Sequence, residues 1–409
     1  MTTQPSISLL HFADAHIDMI THGRRAESGL PMRVEDFLSA LEQIVETAVS
    51  QKVDLVIFAG DAYRDRNPQP IYQKKWSEQI LRLSAAGIPT VLLVGNHDMS
   101  PAAWRAHTLA EFKTFGVPNV HVGDSIRRLG PDELGIPVQI ITVPWVAQSR
   151  LMTREETAGM SLPDIMMMME DKVTELVQGL IETADPDIPL ILTAHASVQG
   201  AVYGSERAVM LGSELVLGGG LINDKRIDYV ALGHIHKHQD VSKGGQPPIV
   251  YPGSIERIDF GEVDDVKGFV LADVRRGRTE FTFEMLKTRP FLNYKADTPV
   301  ADNFMSDIMA ALPQPDVVEG AVCRLQLSYP RDWENMLDES RIQERFSGAF
   351  SFKIQRHHTS GNRSRLGDTI AVESLTPMEL LDTYWKTQEM EPAEIEAMRE
   401  LAKSLLSEE

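Results

Sequence analysis

The stretch Thr90-Val-Leu-Leu-Val-Gly-Asn-His-Asp98 sets a short apolar run directly against a glycine and three polar residues. A run of that length without polar alternation is expected of a strand covered on both faces. The glycine lets the chain turn at the strand end, so Asn96, His97 and Asp98 fall where open α/β sheets bind ligands. The same pattern recurs outward in both directions. Asp14 and His16 follow the run 7–12, Asp61 follows 53–58 in A-G-D, His195 follows 190–193, and His234 with His236 follow 229–232 in G-H-I-H. Further runs at 138–143, 249–251 and 269–274 complete a set of strands separated by helical patterns, which indicates an α/β layered fold.

Two of those helical patterns are explicit. Phe37, Leu41, Ile44, Ala48 and Val49 recur at helical spacing with Glu35, Glu42 and Glu46 off the stripe, and Tyr72, Trp76, Ile80 and Leu83 repeat the spacing in a second segment. Core packing is the expected role of the second stripe, with a dimer interface as the alternative. Four adjacent methionines, Met166 to Met169, lie in a helical pattern over 162–181 and cannot share one face, which suggests adaptable packing.

A chain of 409 residues exceeds what one hydrophobic core usually organises. The pattern changes near residue 286, which gives a first domain over 1–285. Arg289, Pro290 and Phe291 open a second segment over 286–358, with a strand at 321–327, a helix at 333–346 and a strand at 350–355 forming a small α/β unit. The polar stretch 359–374 reads as a linker. Helices at 377–386 and 392–406, within 375–409, carry apolar faces that imply docking.

No apolar stretch approaches a bilayer span, so no membrane segment is expected. The first residues lack the features of a secretory signal, and the single cysteine, Cys323, cannot form a disulfide within the chain. A cytoplasmic protein is therefore expected. The formal charge of −19 argues against extensive phosphate contact, but metal-ligating carboxylates belong to that total. The acidity is also uneven: 375–409 holds nine acidic and three basic residues, whereas 353–365 holds Lys353, Arg356, Arg363 and Arg365 and no acid.

Asp14, His16, Asp61, Asn96, His195, His234 and His236 offer oxygen and imidazole donors of the kind that hold manganese, iron or zinc. Seven exceed the need of one ion. In an extended segment residues two apart point the same way, so Asp14 with His16, and His234 with His236, can each present a pair to one cavity. Two divalent ions follow, with Asp61 best placed to bridge them at about 4 Å, the spacing used for in-line attack on phosphorus. Gly60, Gly95 and Gly233 directly precede ligands and allow close backbone approach.

The motifs D-x-H, G-D, G-N-H-D, H and G-H-x-H, in this order over residues 7–275, resemble the calcineurin-like metallophosphoesterase superfamily. The stretch Y-P-G-S-I-E-R-I-D-F-G-E at 251–262 is similar to the SbcD-type nuclease branch, whose members work with an SbcC-type ATPase in double-strand-break processing. The resemblance implies a two-sheet metallophosphoesterase sandwich flanked by helices, a small α/β capping domain and C-terminal helices that dock the ATPase. It further implies a homodimeric exonuclease and endonuclease acting on DNA with two divalent ions, Mn2+ being the first choice.

On the resemblance, one ion is held by Asp14, His16, Asp61 and His236, and the other by Asp61, Asn96, His195 and His234. His97 then stabilises the transition state and protonates the leaving sugar oxygen, with Asp98 orienting its ring from behind. The chain departs from the pattern at Ala62, Tyr63 and Arg64, where many relatives carry a hydrophobic pair and then His or Asp. It departs again at Ile17 and Asp18, where many carry Leu-Gly. Arg64 is then either a phosphate contact or simply exposed. Ser254 and Arg257 either contact substrate or hold their turn, and His22, Arg24 and Arg25 either reach the DNA backbone or line a solvated loop. Two other readings stand beside the nuclease: a phosphodiesterase or phosphatase of small nucleotides, and a catalytically silent DNA-tethering scaffold.

Overall fold

The computed structural model describes residues 6–20, 26–100, 106–153, 155–204, 214–298 and 301–359, with isolated positions between 378 and 402. His22, Arg24, Arg25, residues 360–374 and nearly all of the two C-terminal helical segments lie outside the described residues.

The apolar runs become strands buried on both faces because two sheets pack face to face and helices cover their outer sides. Along Ile7–Phe12, Leu9 points into the layer between the sheets, where it meets Leu55, Ile57, Val91, Ile140, Ile191, Ala231 and Val250. Leu10 and Phe12 point the other way and pack with Val56, Phe58 and Leu92 against the helices Met32–Gln51 and Pro70–Ala85. The outer side of the second sheet is covered by the helix Leu162–Glu182 through Ile165, Met169, Val173, Val177 and Ile181.

The first sheet runs in the order Arg278–Met285, Gly268–Arg275, Ile7–Phe12, Leu55–Phe58, Thr90–Leu93, Val120–Gly123. Its last four strands are mutually parallel, and Gly268–Arg275 is antiparallel to both neighbours. The second sheet runs Gln239–Asp240, Ile249–Tyr251, Tyr229–Gly233, Leu190–His195, Gln139–Val143, Arg127–Leu129, with four parallel central strands and antiparallel edges. Parallel strands bring their C-terminal ends to one rim, which is where every motif above is attached.

The edge strands Val120–Gly123, Arg127–Leu129, Gln239–Asp240 and Arg278–Met285 escape a reading by apolar run. Each is either very short or, like R-T-E-F-T-F-E-M at 278–285, exposes one polar side. The second helix packs inward: Trp76 is buried, with Phe58 at 4.8 Å and Tyr63 at 6.2 Å between ring centroids, so its stripe is core. Of the four methionines, Met169 is buried while Met167 is 60% exposed, as expected of a run that circles the helix.

The chain divides into two compact units, the first comprising residues up to 292 with 319–322 and 349–351, the second comprising 293–318, 323–348 and 352 onward. A three-stranded sheet orders Phe291–Asp297, Val322–Pro330 and Ser351–Thr359. On its middle strand Leu325, Leu327 and Tyr329 are buried and alternate with half-buried Arg324, Gln326 and Ser328, so among the described residues one face is covered more fully than the other. The single helix expected at 333–346 is instead a 3-10 segment, Arg331–Met336, followed by the helix Glu339–Arg345. The break falls where the Asp338 carboxylate accepts from Arg341 N (3.2 Å) and starts a new helix. Among the described residues no helix is long and apolar enough to cross a membrane.

Candidate metal centre

All seven donor residues gather at the rim where the two sheets meet. Asp14, His16 and His236 form one group of mutually adjacent donor atoms, and Asp14, Asp61 and His195 form another, each within 4.8 Å. Asp61 Oδ2 is 3.4 Å from His195 Nε2 and 3.9 Å from His16 Nε2, so this carboxylate stands between the two histidine sets. Asn96 Oδ1 faces His195 Nε2 at 2.9 Å and His234 Nδ1 at 3.1 Å.

The backbone that delivers these groups is strained. Asp14, His16, Asp61 and His234 have φ of 51°, 40°, 64° and 102°, values that non-glycine residues rarely adopt and that collect at functional sites. Asp14 and His16 therefore do not share a cavity through extended geometry, as their two-residue spacing suggests. Left-handed turns aim them, and the turns are pinned by Asp14 N to Gly60 O (2.9 Å) and Ala15 N to Asp61 O (2.8 Å). Gly60 itself has φ of 101°, and the side of Gly95 lies so close to Asp61 that an added Cβ would sit 2.6 Å from Asp61 N.

The donor set fits cations. The Nδ1 of His195 is 2.7 Å from the Ala59 carbonyl, which can only accept, so Nδ1 carries the proton in the neutral ring. In that neutral ring the Nε2 lone pair faces the Asn96 and Asp61 oxygens, an arrangement that a cation among them, or a second ring proton, resolves. The Nε2 atoms of His16 and His236 lie 3.3 Å apart, and the buried His16 Nδ1 has no partner among the described residues. Burial lowers the basicity of His195, but Asp61, Asp14 and the Ala59 carbonyl together outweigh it and raise it to about 9, so without a cation the ring would take a second proton toward Asp61. Burial pushes Asp61 up, yet His195, His97 and His16 together hold it well below the usual carboxylate range.

His97 sits at the edge of this centre. Its backbone N–H donates to Asp61 Oδ1 (2.8 Å), its ring lies 5.1 Å from that of His16, and its Nδ1 is 2.6 Å from the Arg64 carbonyl. With Nδ1 donating to that carbonyl, Nε2 is the nitrogen left for proton transfer. Asp98 does not orient the ring, contrary to expectation. Its carboxylate accepts from Asp61 N (2.8 Å), Ala62 N (3.1 Å), Gly95 N (2.9 Å) and Thr108 Oγ1 (3.0 Å), tying the two ligand loops together. Burial and the nearby Asp61 raise it to about 6, against those hydrogen bonds. A short acid in a loop satisfies nearby backbone amides more readily than it reaches a neighbouring ring.

Ser254 and Arg257 hold their turn, the second of the two roles open to them. Ser254 is fully buried; its Oγ donates to Glu256 O (3.0 Å) and accepts from Lys267 Nζ (2.9 Å). Arg257 donates to Asp265 O (2.7 Å) and Thr288 Oγ1 (2.9 Å), so both residues hold their own segment in shape. Arg64 is exposed, with Nη1 on Met19 Sδ (3.1 Å), and lines a cleft of about 820 Å³ that also touches Asp18, Ile20, Tyr72 and His97. Asp18 accepts from Arg64 N (2.5 Å) and Asp65 N (3.0 Å), tying the loop after the first strand to the loop after the second.

Three neighbours of the centre had no signal in the sequence. Glu214 Oε2 is 2.8 Å from His234 Nε2, Glu262 Oε1 is 2.9 Å from His236 Nδ1, and the Trp145 ring lies 5.1 Å from that of His234. Glu262 alone lies in a quoted motif, as the last residue of the 251–262 pattern, with nothing there to mark it as a partner of His236.

A family model described as calcineurin-like phosphoesterase matches residues 7–238. Solved structures similar to the chain include TT1561 of Thermus thermophilus, at 16% identity over 68% of this chain and 99% of that one, with a TM-score of 0.38. The calcineurin-like phosphoesterase YfkN from Bacillus subtilis is 14% identical over 75% and 96%, with a TM-score of 0.37. A dimetal phosphatase from Danio rerio is 10% identical over 68% and 98%, also at 0.37.

Proposed function

The chain belongs to the calcineurin-like phosphoesterases, and from that premise we propose that it is a DNA exonuclease and endonuclease using two divalent ions, Mn2+ first among them. In this reading Asp14, His16, Asp61 and His236 hold one ion and Asp61, Asn96, His195 and His234 the other. Bound there, divalent ions supply a nucleophile at neutral pH and neutralise charge on the phosphate. The observation that carries the reading is the tethering of His97 to Asp61 Oδ1 through its backbone and to Arg64 O through Nδ1. Both tethers hold the imidazole beside the donors with Nε2 available, so that in its doubly protonated form the ring gives the Nε2 proton to the leaving sugar oxygen as the P–O bond breaks and keeps the Nδ1 proton on the Arg64 carbonyl.

Preference for a polymer over a small nucleotide is supported by the segment 251–262, by the open cleft leading from His97 past Arg64, and by the additional unit after residue 292. The reading extends to an SbcC-type ATPase partner docked on the C-terminal helices, to a homodimer, and to double-strand-break processing in the cytoplasm.

The test sets linear duplex DNA beside bis-p-nitrophenyl phosphate and a cyclic nucleotide, each with purified protein and manganese. We expect DNA to be digested, and His97→Ala to slow digestion by about 10²- to 10⁴-fold with bound metal unchanged. Hydrolysis of the cyclic nucleotide with intact DNA, or full nuclease activity in His97→Ala, would overturn the reading.

A further inference from the structure

We propose that Glu214 and Glu262 are positioning residues that hold the two G-H-I-H histidines with opposite ring nitrogens turned inward, His234 presenting Nδ1 and His236 presenting Nε2. The inference rests on the metal-centre reading above and deepens it.

The two rings are two residues apart, yet each meets a carboxylate with a different nitrogen. His234 has Nε2 on Glu214 Oε2 (2.8 Å) and Nδ1 toward Asn96 Oδ1 (3.1 Å). His236 has Nδ1 on Glu262 Oε1 (2.9 Å) and Nε2 toward His16 Nε2 (3.3 Å). An ionised carboxylate can only accept, so the ring nitrogen facing it carries the proton and the inner nitrogen keeps its lone pair. A carboxylate on the outer nitrogen of a ligand histidine fixes both tautomer and ring orientation and raises the basicity of the inner nitrogen. Each acid is itself anchored. Glu214 Oε1 accepts from Ser197 Oγ (2.9 Å), and Glu262 Oε2 accepts from Lys267 Nζ (2.8 Å) and Ile258 N (3.0 Å). Lys267 also donates to the His236 carbonyl (3.0 Å), so the 251–262 segment and the G-H-I-H turn are fastened to one buried lysine. This gives that segment a task at the centre without any direct contact with substrate.

The deciding position is Glu214, whose side-chain partners are His234, Ser197 and Tyr203 rather than a buried lysine. Calorimetric titration of the metal-free full-length chain with manganese chloride alone should show two ions in the wild type. In Glu214→Gln one ion should bind about 10- to 100-fold more weakly, and in Glu214→Leu more weakly still, while the other keeps its affinity. Gln retains an acceptor oxygen and Leu does not, so the graded order reports on the ring contact. The melting temperature of metal-free Glu214→Gln should match the wild type. Glu262→Gln should weaken one ion in the same way. Unchanged manganese affinity in both Glu214 variants, with or without a loss of stability, overturns the inference and leaves the metal centre standing. A wild-type chain that binds no manganese overturns both.

Discussion

Asp61→Asn is expected to lower kcat/KM for phosphodiester cleavage by about three orders of magnitude and to release at least one of the two ions. Asp61 touches both halves of the centre, with Oδ2 3.4 Å from His195 Nε2 and 3.9 Å from His16 Nε2, and its Oδ1 holds the His97 backbone. Asparagine keeps the size and one acceptor but removes the buried negative charge that two cations would share. Losing one ion's stabilisation of developing charge is worth several kcal/mol, and about 4 kcal/mol corresponds to roughly a thousandfold in rate. The backbone bonds of residue 61 to Asp98 and Ala15 do not depend on its side chain, so the fold should persist. Metal content by elemental analysis, measured beside the rate, separates this from unfolding. Two retained ions with near-normal turnover would contradict the bridging role.

A large loss of stability is expected from Gly95→Ala. A Cβ at position 95 would overlap the Asp61 carboxylate and lie 2.6 Å from Asp61 N, a backbone atom that cannot swing aside. Neither strand end can yield easily, because Gly95 N (2.9 Å) and Asp61 N (2.8 Å) both donate to Asp98 Oδ2. Overpacking of this kind costs about 3 kcal/mol or more, which in a domain of this size lowers Tm by roughly 6–12 °C. Gly179→Ala is the matched control. It lies in the helix Leu162–Glu182 with open space around it, and should gain up to about 1 kcal/mol through helix propensity. Thermal melts of the two variants should therefore move in opposite directions; a Gly95→Ala chain as stable as wild type would sink the close-approach account.

Much of the first unit was legible because its strands are buried on both faces and therefore apolar without interruption, as at 55–58 and 249–251. The donors were legible for a related reason: Asp61, Asn96, His195 and His234 sit at or just beyond such strand ends, where polar residues otherwise have no cause to cluster. What remained hidden depends on distance in the chain. Glu214 and Glu262 reach their histidines across 20 and 26 residues of intervening strands, short helices and turns, and nothing local marks either as a partner. The role of Asp98 is obscured for the opposite reason. Its place beside His97 in sequence suggests a pair, but the backbone turns so that its carboxylate faces loop amides of residues 61, 62 and 95. Backbone conformation was equally invisible. Nothing in Asp14-Ala15-His16 announces two left-handed residues, and the two-residue spacing suggests extended chain instead.

The most direct measurement is anomalous scattering from crystals grown with manganese. The account predicts two peaks flanking the Asp61 carboxylate about 4 Å apart, one beside Asp14, His16 and His236 and the other beside Asn96, His195 and His234. A single peak elsewhere, or none at saturating manganese, would contradict it.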